Sequence, residues 1–215
     1  LFPYTTLFRS FYIQARPAML AGKKGIERIE TISKRGLVSG ISMAIESGDQ
    51  SVRKLLLDRH ENNSIVLDAI KNVKNFGVPL RTQAIVGLPV IKPSIPFDSK
   101  GCKVSLVDHE GKEHYYEDPI QESLKCLDLV CSSFFRREDY YWNAIYSPFP
   151  GTPLGDYSIK AGFATGDTAS QAYLFSSESG LNCFSDLISK RQLAFSLTSN
   201  FFAHFKNGKD RKSVV

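Results

Sequence analysis

Residues 40–89 read GISMAIESGDQSVRKLLLDRHENNSIVLDAIKNVKNFGVPLRTQAIVGLP, and this stretch decides the fold. It begins within VSGISMAI, residues 38–45, a small and apolar run that is typical of a strand buried on both faces of a parallel sheet. A helical pattern follows and ends before Gly77, and residues 80–86 then form the next strand. This alternation predicts right-handed βαβ units and therefore an α/β protein with a parallel sheet or barrel.

The helix between these two strands has one apolar face, and Asn63 or Ser64 is expected to cap its first turn. The face consists of Ile65, Val66, Ala69, Ile70, Val73 and Phe76. Working outward, the same patterns predict strands at 11–16 and 140–146, helices at 25–36, 120–134 and 187–205, and a β-hairpin formed by 104–107 and 113–117.

The two ends of the chain have an unusual origin. Residues 1–10, LFPYTTLFRS, back-translate to a sequencing-library adapter, and residues 210–215, DRKSVV, back-translate to the reverse complement of part of it. We therefore expect both segments to be adapter-derived and the chain to be a fragment. Without them, three of the 27 basic and one of the 22 acidic residues are removed, and the net charge falls from +5 to +3. No dense Lys/Arg stripe remains, which argues against a nucleic-acid partner.

Composition restricts the class of protein further. With 42% hydrophobic and 23% charged residues, the chain is expected to be globular rather than disordered. No stretch approaches the roughly 18 consecutive apolar residues of a membrane span, so we expect a soluble protein without a membrane partner. The few cysteines suit no disulfide framework or metal motif, which favours buried thiols and a cytoplasmic location. They are Cys102, Cys126, Cys131 and Cys183.

Three loops follow predicted strands, at the carboxyl ends where ligands bind in parallel α/β proteins. The first, residues 46–48, offers a carboxylate and a hydroxyl for ribose hydroxyls or an ammonium group, and Gly48 allows close approach of a backbone. In the second, Ile85 precedes Gly-Leu-Pro and can pack on a flat aromatic ring while main-chain groups bind its edge. The third is residues 148–152. Each loop alone is more often a structural turn.

Together, residues 40–89, the later PFPGTPL and a Gly-terminated helix resemble the radical S-adenosylmethionine (SAM) superfamily. Within it, they are most similar to the methylthiotransferase-like and cobalamin-binding-domain branch. The likeness covers most of residues 11–162 and leaves 163–209 as a C-terminal helical extension. It implies a partial (β/α)6 barrel, in which a 4Fe-4S cluster is held on a Cys-x3-Cys-x2-Cys loop. SAM chelates the unique iron of such a cluster and is cleaved reductively to a 5′-deoxyadenosyl radical.

The resemblance also implies roles for residues of this sequence. Glu46 and Ser47, followed by Gly48, match the motif that contacts the ribose or methionine part of SAM. Ile85 and Gly87 match the motif that holds adenine. These residues are therefore expected to bind the cofactor.

Two arginines are further candidates for the same pocket. Arg59 falls near the basic residue that pairs with the SAM carboxylate, a role that suits a guanidinium group. The alternative for Arg59 is a solvated charge at a helix end. Arg16 follows what would be the third strand of the barrel.

Two departures from the family pattern are visible. Val90 and Ile91 follow Gly-Leu-Pro where the family often has Gly-Glu, and no Cys-x3-Cys-x2-Cys occurs. We therefore expect the cluster ligands to lie upstream of Phe11, in an enzyme of which this fragment alone is inactive. The resemblance further implies a small-molecule or unidentified substrate, an electron donor such as a flavodoxin or ferredoxin, and, for the cobalamin-binding branch, cobalamin on another domain. The alternative is a non-catalytic α/β binding or partner domain that never held a cluster.

Overall fold

The structure is a computed structural model of the chain, and it describes residues 11–34, 36, 38–89, 106–107, 113–114, 120–131, 139–160, 162–164, 181 and 184–206. The strands are β1 (Phe11–Ala15), β2 (Val38–Glu46), β3 (Leu80–Val86), β4 (Leu106–Val107), β5 (Glu113–His114) and β6 (Tyr140–Ile145). The helices are α1 (Pro17–Leu20), α2 (Gly22–Lys34), α3 (Gln50–Leu57), α4 (Asn63–Asn75), α5 (Ile120–Cys131), α6 (Pro153–Lys160) and α7 (Asp186–Lys206). None of the helices in these ranges is long and apolar enough to cross a bilayer.

Four of the strands form a parallel sheet in the order β1-β2-β3-β6. The chain adds each new strand on the same side of the previous one, so right-handed crossovers place the connecting helices on one face of the sheet. This confirms the predicted α/β class and parallel pairing. The remaining two strands, β4 and β5, pair antiparallel, as predicted for the hairpin.

The main core lies between the sheet and its helices. From β2, Ile41, Met43 and Ile45 are fully buried, because side chains alternate along a strand and these three point to the helical face. They pack against buried residues of α4, β3 and α5. These include Val66, Ala69, Ile70, Val73, Leu80, Ala84, Cys126 and Val130.

The opposite face of the sheet is polar and aromatic. Hydrogen bonds between strands identify its side chains: Gln14 Nε2 donates to Gln83 Oε1 at 3.1 Å, and Arg81 Nε donates to Ser42 Oγ at 3.0 Å. Alternation places Tyr12, Tyr140 and Trp142 on the same face.

A second apolar cluster lies at the carboxyl edge of the sheet. It joins α3 and α6 to the segments that follow β3 and β6, through Val52, Leu56, Leu88, Tyr146, Leu154, Phe163 and Leu181. The final helix α7 is bonded to β6, since Asn143 N–H donates to Asn200 Oδ1 and Asn200 Nδ2 donates to the Asn143 carbonyl, each at 2.9 Å. The proposed division of the chain after residue 162 stays a prediction.

Several local expectations need correction. Asn62, rather than Asn63 or Ser64, caps α4, because its Oδ1 accepts from the Ile65 N–H at 3.0 Å. The predicted helix at 25–36 is preceded by α1 and begins at Gly22. Gly25 does not start it; a side chain there would collide with the backbone of Leu20, so this glycine is where α1 and α2 meet. Helix α3 was not predicted.

Candidate functional site

Glu46 ends β2 in a left-handed conformation, with φ of 69°. The register with β3 shifts between Ala44 and Glu46. Among the described residues, only Glu46 and Asp58 combine a positive φ with a residue other than glycine. Because a left-handed φ is uncommon and costly outside glycine, it is worth a functional explanation.

Arg59 closes over the end of β2. Its Nη2 donates to Glu46 Oε1 at 3.0 Å and its Nη1 donates to the Ala44 carbonyl at 3.3 Å. The side chains of Arg59 and Glu46 are only 24% and 17% exposed, so Arg59 is not a solvated helix-end charge. Burial raises the pKa of Glu46, and the positive charge of Arg59 opposes that increase. The structure thus brings together two of the predicted cofactor residues.

Arg53 holds the loop after β2 from the inside, a role that the sequence did not indicate. The side chain is 1% exposed and donates to the carbonyls of Ser47 and Glu61 and to Asn63 Oδ1. Ser47 is also fully buried, and its Oγ accepts from the Asp49 N–H at 3.0 Å. The only sequence signal was an arginine next to Val52 in a helical apolar pattern.

Arg16 extends this network to the end of β1. Its Nε and Nη2 donate to Glu61 Oε1 and Oε2 at 2.9 and 3.1 Å, which is the bidentate geometry of a strong ion pair. Since the Glu61 carbonyl accepts from Arg53, the ends of β1 and β2 are joined through side chains. Arg16 is therefore at the same edge as Glu46, but its carboxylate partner in this structure is Glu61.

Glu122 of α5 is buried beneath the same loop. It is 1% exposed, and neither carboxyl oxygen has a hydrogen-bond partner. Burial raises its pKa from 4.5 to about 7, while the positive charges of Lys125 and Arg53 oppose that increase. Sequence reasoning missed Glu122 because it lies in an apolar helical pattern without any motif around it.

Gly48 allows the backbone of α5 to lie close to the loop after β2. A side chain there would collide with the backbone of Lys125 and Cys126, so the close approach at Gly48 is to this helix. Lys125 Nζ also donates to Asp49 Oδ2 at 2.7 Å. The loop after β2 is thus fixed by α5 on one side and by Arg53 on the other.

The residues predicted to hold adenine, Ile85 and Gly87, lie at the end of the neighbouring strand. The register pairs Glu46 with Ala84, so Glu46, which ends β2, and Gly87, which follows β3, lie at the same edge of the sheet. Gly87 has φ of 77°, and a Cβ there would lie 2.9 Å from Gln192 Oε1. Gln192, on α7, is fully buried, and neither polar atom of its side chain has a hydrogen-bond partner. Ile85 is partly buried against the second cluster.

The described cysteines do not fit an iron-sulfur cluster. The prediction of buried thiols is confirmed for Cys126, which is fully buried with the pKa of its thiol raised by burial, and is wrong for Cys131, which is exposed. Within the described ranges, no three His, Cys, Asp or Glu side chains are grouped to hold a metal ion. Cys102 and Cys183 lie outside these ranges.

Comparisons with known proteins are sparse. No protein-family model matches this sequence, and no curated protein matches it. Among solved structures, the chain is similar to coproporphyrinogen III oxidase (HemN) from Escherichia coli, which is described as a radical SAM enzyme, with a TM-score of 0.46 and 13% sequence identity. The match covers 93% of this chain and 32% of that enzyme, so this chain spans about a third of the enzyme's length.

Proposed function

We propose that this chain is the SAM-binding part of a radical SAM-type enzyme. One observation carries the proposal: Glu46 ends β2 and Gly87 directly follows β3, so two motifs 41 residues apart in the sequence lie at the same edge of adjacent parallel strands. Ligands bind at this edge in parallel α/β proteins. Both residues also have a left-handed backbone conformation, so the chain departs from regular strand geometry at the point where a ligand would bind.

Glu46 and the two arginines would bind the polar half of SAM. The Glu46 carboxylate would accept from ribose hydroxyls, and Arg59, which is held against it at 3.0 Å, would bind the SAM carboxylate. Ser47 and Gly48 would act by fixing the loop, because Arg53 and α5 hold both residues in place. Arg16 would contribute positive charge at the end of β1.

Gln192 supports an adenine site beside Gly87. A carboxamide offers one donor and one acceptor side by side, which match the hydrogen-bonding edge of adenine. Leaving both groups buried and unpaired is costly, so a ligand that satisfies them would be stabilised. Ile85 would pack on the flat face of the base.

The chain's own part is therefore to bind and orient SAM, which supplies radical chemistry in this superfamily when it is cleaved reductively. The cysteines of the described ranges do not fit the 4Fe-4S cluster, and we assign its ligands to sequence upstream of Phe11. An electron donor, a substrate, cobalamin on another domain and a cytoplasmic location remain part of this proposal.

The second candidate is a non-catalytic α/β binding domain. It is favoured by one specific observation, namely that none of the four cysteines of this sequence falls in a Cys-x3-Cys-x2-Cys motif. An upstream reading frame that contains this motif supports the enzyme. A frame with two further strands but without the motif supports the binding domain.

The test is calorimetric titration of SAM into the folded protein and into its Glu46→Gln variant. We expect the variant to bind SAM at least about tenfold more weakly, since it loses a charged acceptor and the partner of Arg59. Glu30→Gln is the matched control, because Glu30 is a half-exposed residue of α2 that pairs with Lys34. Equal affinity of Glu46→Gln and the unchanged protein, with both folded by circular dichroism, would contradict the proposal, as would the absence of SAM binding altogether.

A further inference from the structure

A single arginine lies among three aromatic rings on the polar face of the sheet. The guanidinium carbon of Arg81 is 5.4 Å from the ring centre of Tyr12, 5.8 Å from that of Tyr140 and 6.0 Å from that of Trp142. All three distances are within the range of cation–π attraction. We call this group, together with Gly40 and Ser42 beneath it, the Arg81 platform.

The hydrogen bonds of Arg81 fix its orientation without neutralising its charge. Nε donates to Ser42 Oγ at 3.0 Å and Nη1 donates to Tyr140 Oη at 3.1 Å, and both acceptors are hydroxyl groups. Among the residues that the structure describes, no carboxylate lies within ion-pair distance of Arg81, although Arg59, which is also partly buried, has one. Arg81 therefore presents a half-buried positive charge whose remaining N–H groups are available to an anion.

Tyr12 is positioned for the same purpose. Its ring lies directly on Gly40, where a Cβ would be 2.5 Å from Cε2 and 2.8 Å from Cζ, so glycine is required for the ring to lie there. Burial and the neighbouring Tyr140 raise the pKa of Tyr12 to about 12. A tyrosine phenol is protonated at neutral pH, and here it lies beside the guanidinium group, where it is able to donate a hydrogen bond.

The platform is open to a ligand. Tyr12 is 46% and Trp142 39% exposed, which is high for large aromatic side chains that flank a charged group. A positive charge that has no counter-ion in the described part of the chain, set among exposed aromatic surfaces, is complementary to a ligand that combines a negative charge with a flat ring. One guanidinium fork matches a single planar carboxylate.

We propose that the Arg81 platform binds a small aromatic carboxylic acid, with its carboxylate on Arg81 and Tyr12 and its ring against Trp142. This site is separate from the proposed SAM site. Arg81 lies near the amino end of β3, and the five residue-to-residue steps from Arg81 to Val86 span roughly 16 Å of strand. The proposal therefore does not depend on SAM binding.

Trp142 makes the test direct, because it is the one tryptophan of the sequence and its fluorescence can be excited selectively. Benzoate is titrated into the folded protein, and benzamide, acetate and inorganic phosphate serve as comparison ligands. We expect benzoate to change the Trp142 emission saturably and to bind at least about tenfold more tightly than benzamide or acetate, which lack the charge and the ring respectively.

Variants assign the effect to the platform. Arg81→Gln is expected to weaken benzoate binding at least about tenfold, and Arg81→Lys to weaken it less, because lysine keeps the charge but not the planar fork. Arg28→Gln is the matched control, since Arg28 is an exposed arginine of α2 that donates to the Met19 carbonyl. The control is expected to bind benzoate as the unchanged protein does.

Three outcomes would overturn the proposal. One is a benzoate response no stronger than that of benzamide, and another is an unchanged benzoate affinity in a folded Arg81→Gln variant. The third is phosphate binding as tightly as benzoate, which would show a simple anion site. If Arg81→Gln fails to fold, the comparison of benzoate with benzamide in the unchanged protein decides the question.

Discussion

Two arginines illustrate how the carboxyl edge of the sheet differs from its polar face, which lies opposite the helices. Arg53, at the carboxyl edge, is 1% exposed, and its donors are taken by the carbonyls of Ser47 and Glu61 and by Asn63. Arg81, on the polar face, is half-buried, and within the described ranges it donates to two hydroxyl groups. Each guanidinium nitrogen of Arg53 has an acceptor within the fold, whereas Nη2 of Arg81 has none among the described residues. The structure therefore gives Arg53 a structural role, and the donors that remain on Arg81 are the basis of the binding site proposed for it.

Replacing Arg53 should have the largest effect on stability. Arg53→Met leaves the buried carbonyls of Ser47 and Glu61 unpaired, and we expect the free energy of unfolding to fall by about 3 kcal/mol or more. Arg81→Met should cost about 1 kcal/mol or less, because mainly cation–π contacts are lost. Urea unfolding followed by circular dichroism measures both. Similar losses of unfolding free energy for the two variants would contradict the difference described between the two arginines.

Glu122 gives the carboxyl edge a pH dependence. Its pKa is about 7 in the folded protein and near 4.5 when exposed, so the folded state holds the proton more tightly. The resulting stability is fully present below pH 4.5 and is lost as the pH rises to about 7, by roughly 3 kcal/mol in total. Unfolding experiments from pH 5 to pH 8 should show a smaller loss of stability in Glu122→Gln than in the unchanged protein.

The surface variant Glu30→Gln is the control for this measurement and should leave the pH dependence unchanged. Equal slopes of unfolding free energy against pH for Glu122→Gln and the unchanged protein would show that Glu122 is not buried as described.

Substitutions at two glycines compare the carboxyl edge with the polar face further, and their expected losses of stability are smaller. Gly48→Ala places a methyl group against the backbone of α5, which cannot move independently of the core, and should destabilise the protein by about 2 kcal/mol. Gly40→Ala meets only the ring of the exposed Tyr12, which is free to shift, and should cost less than about 1 kcal/mol. Thermal unfolding of both variants measures these losses. A larger loss of stability for Gly40→Ala would mean that the polar face is the more tightly packed region.

The local hydrophobic pattern of the sequence was sufficient to predict much of the fold. The strand predicted at 80–86 has those same bounds in β3, and the strand at 38–45 differs from β2 by one residue. The first alternates between buried and partly buried residues, the second is a nearly continuous apolar run, and both are bounded by turn residues. Helix α3 was missed because its apolar residues, Val52 and Leu56, pack in the second cluster at the carboxyl edge rather than in the main core.

The sequence by itself determined the parallel α/β class and the residues at the strand ends, because hydrophobic period and turn chemistry are local properties. Only the tertiary structure decided which polar groups meet. Glu122 and Gln192 reach the carboxyl edge from helices far along the chain, and Arg81 gathers aromatic rings from two other strands. Their importance comes from burial and from missing partners, and both depend on the packing of distant segments, which leaves no periodic or motif-like trace in the sequence.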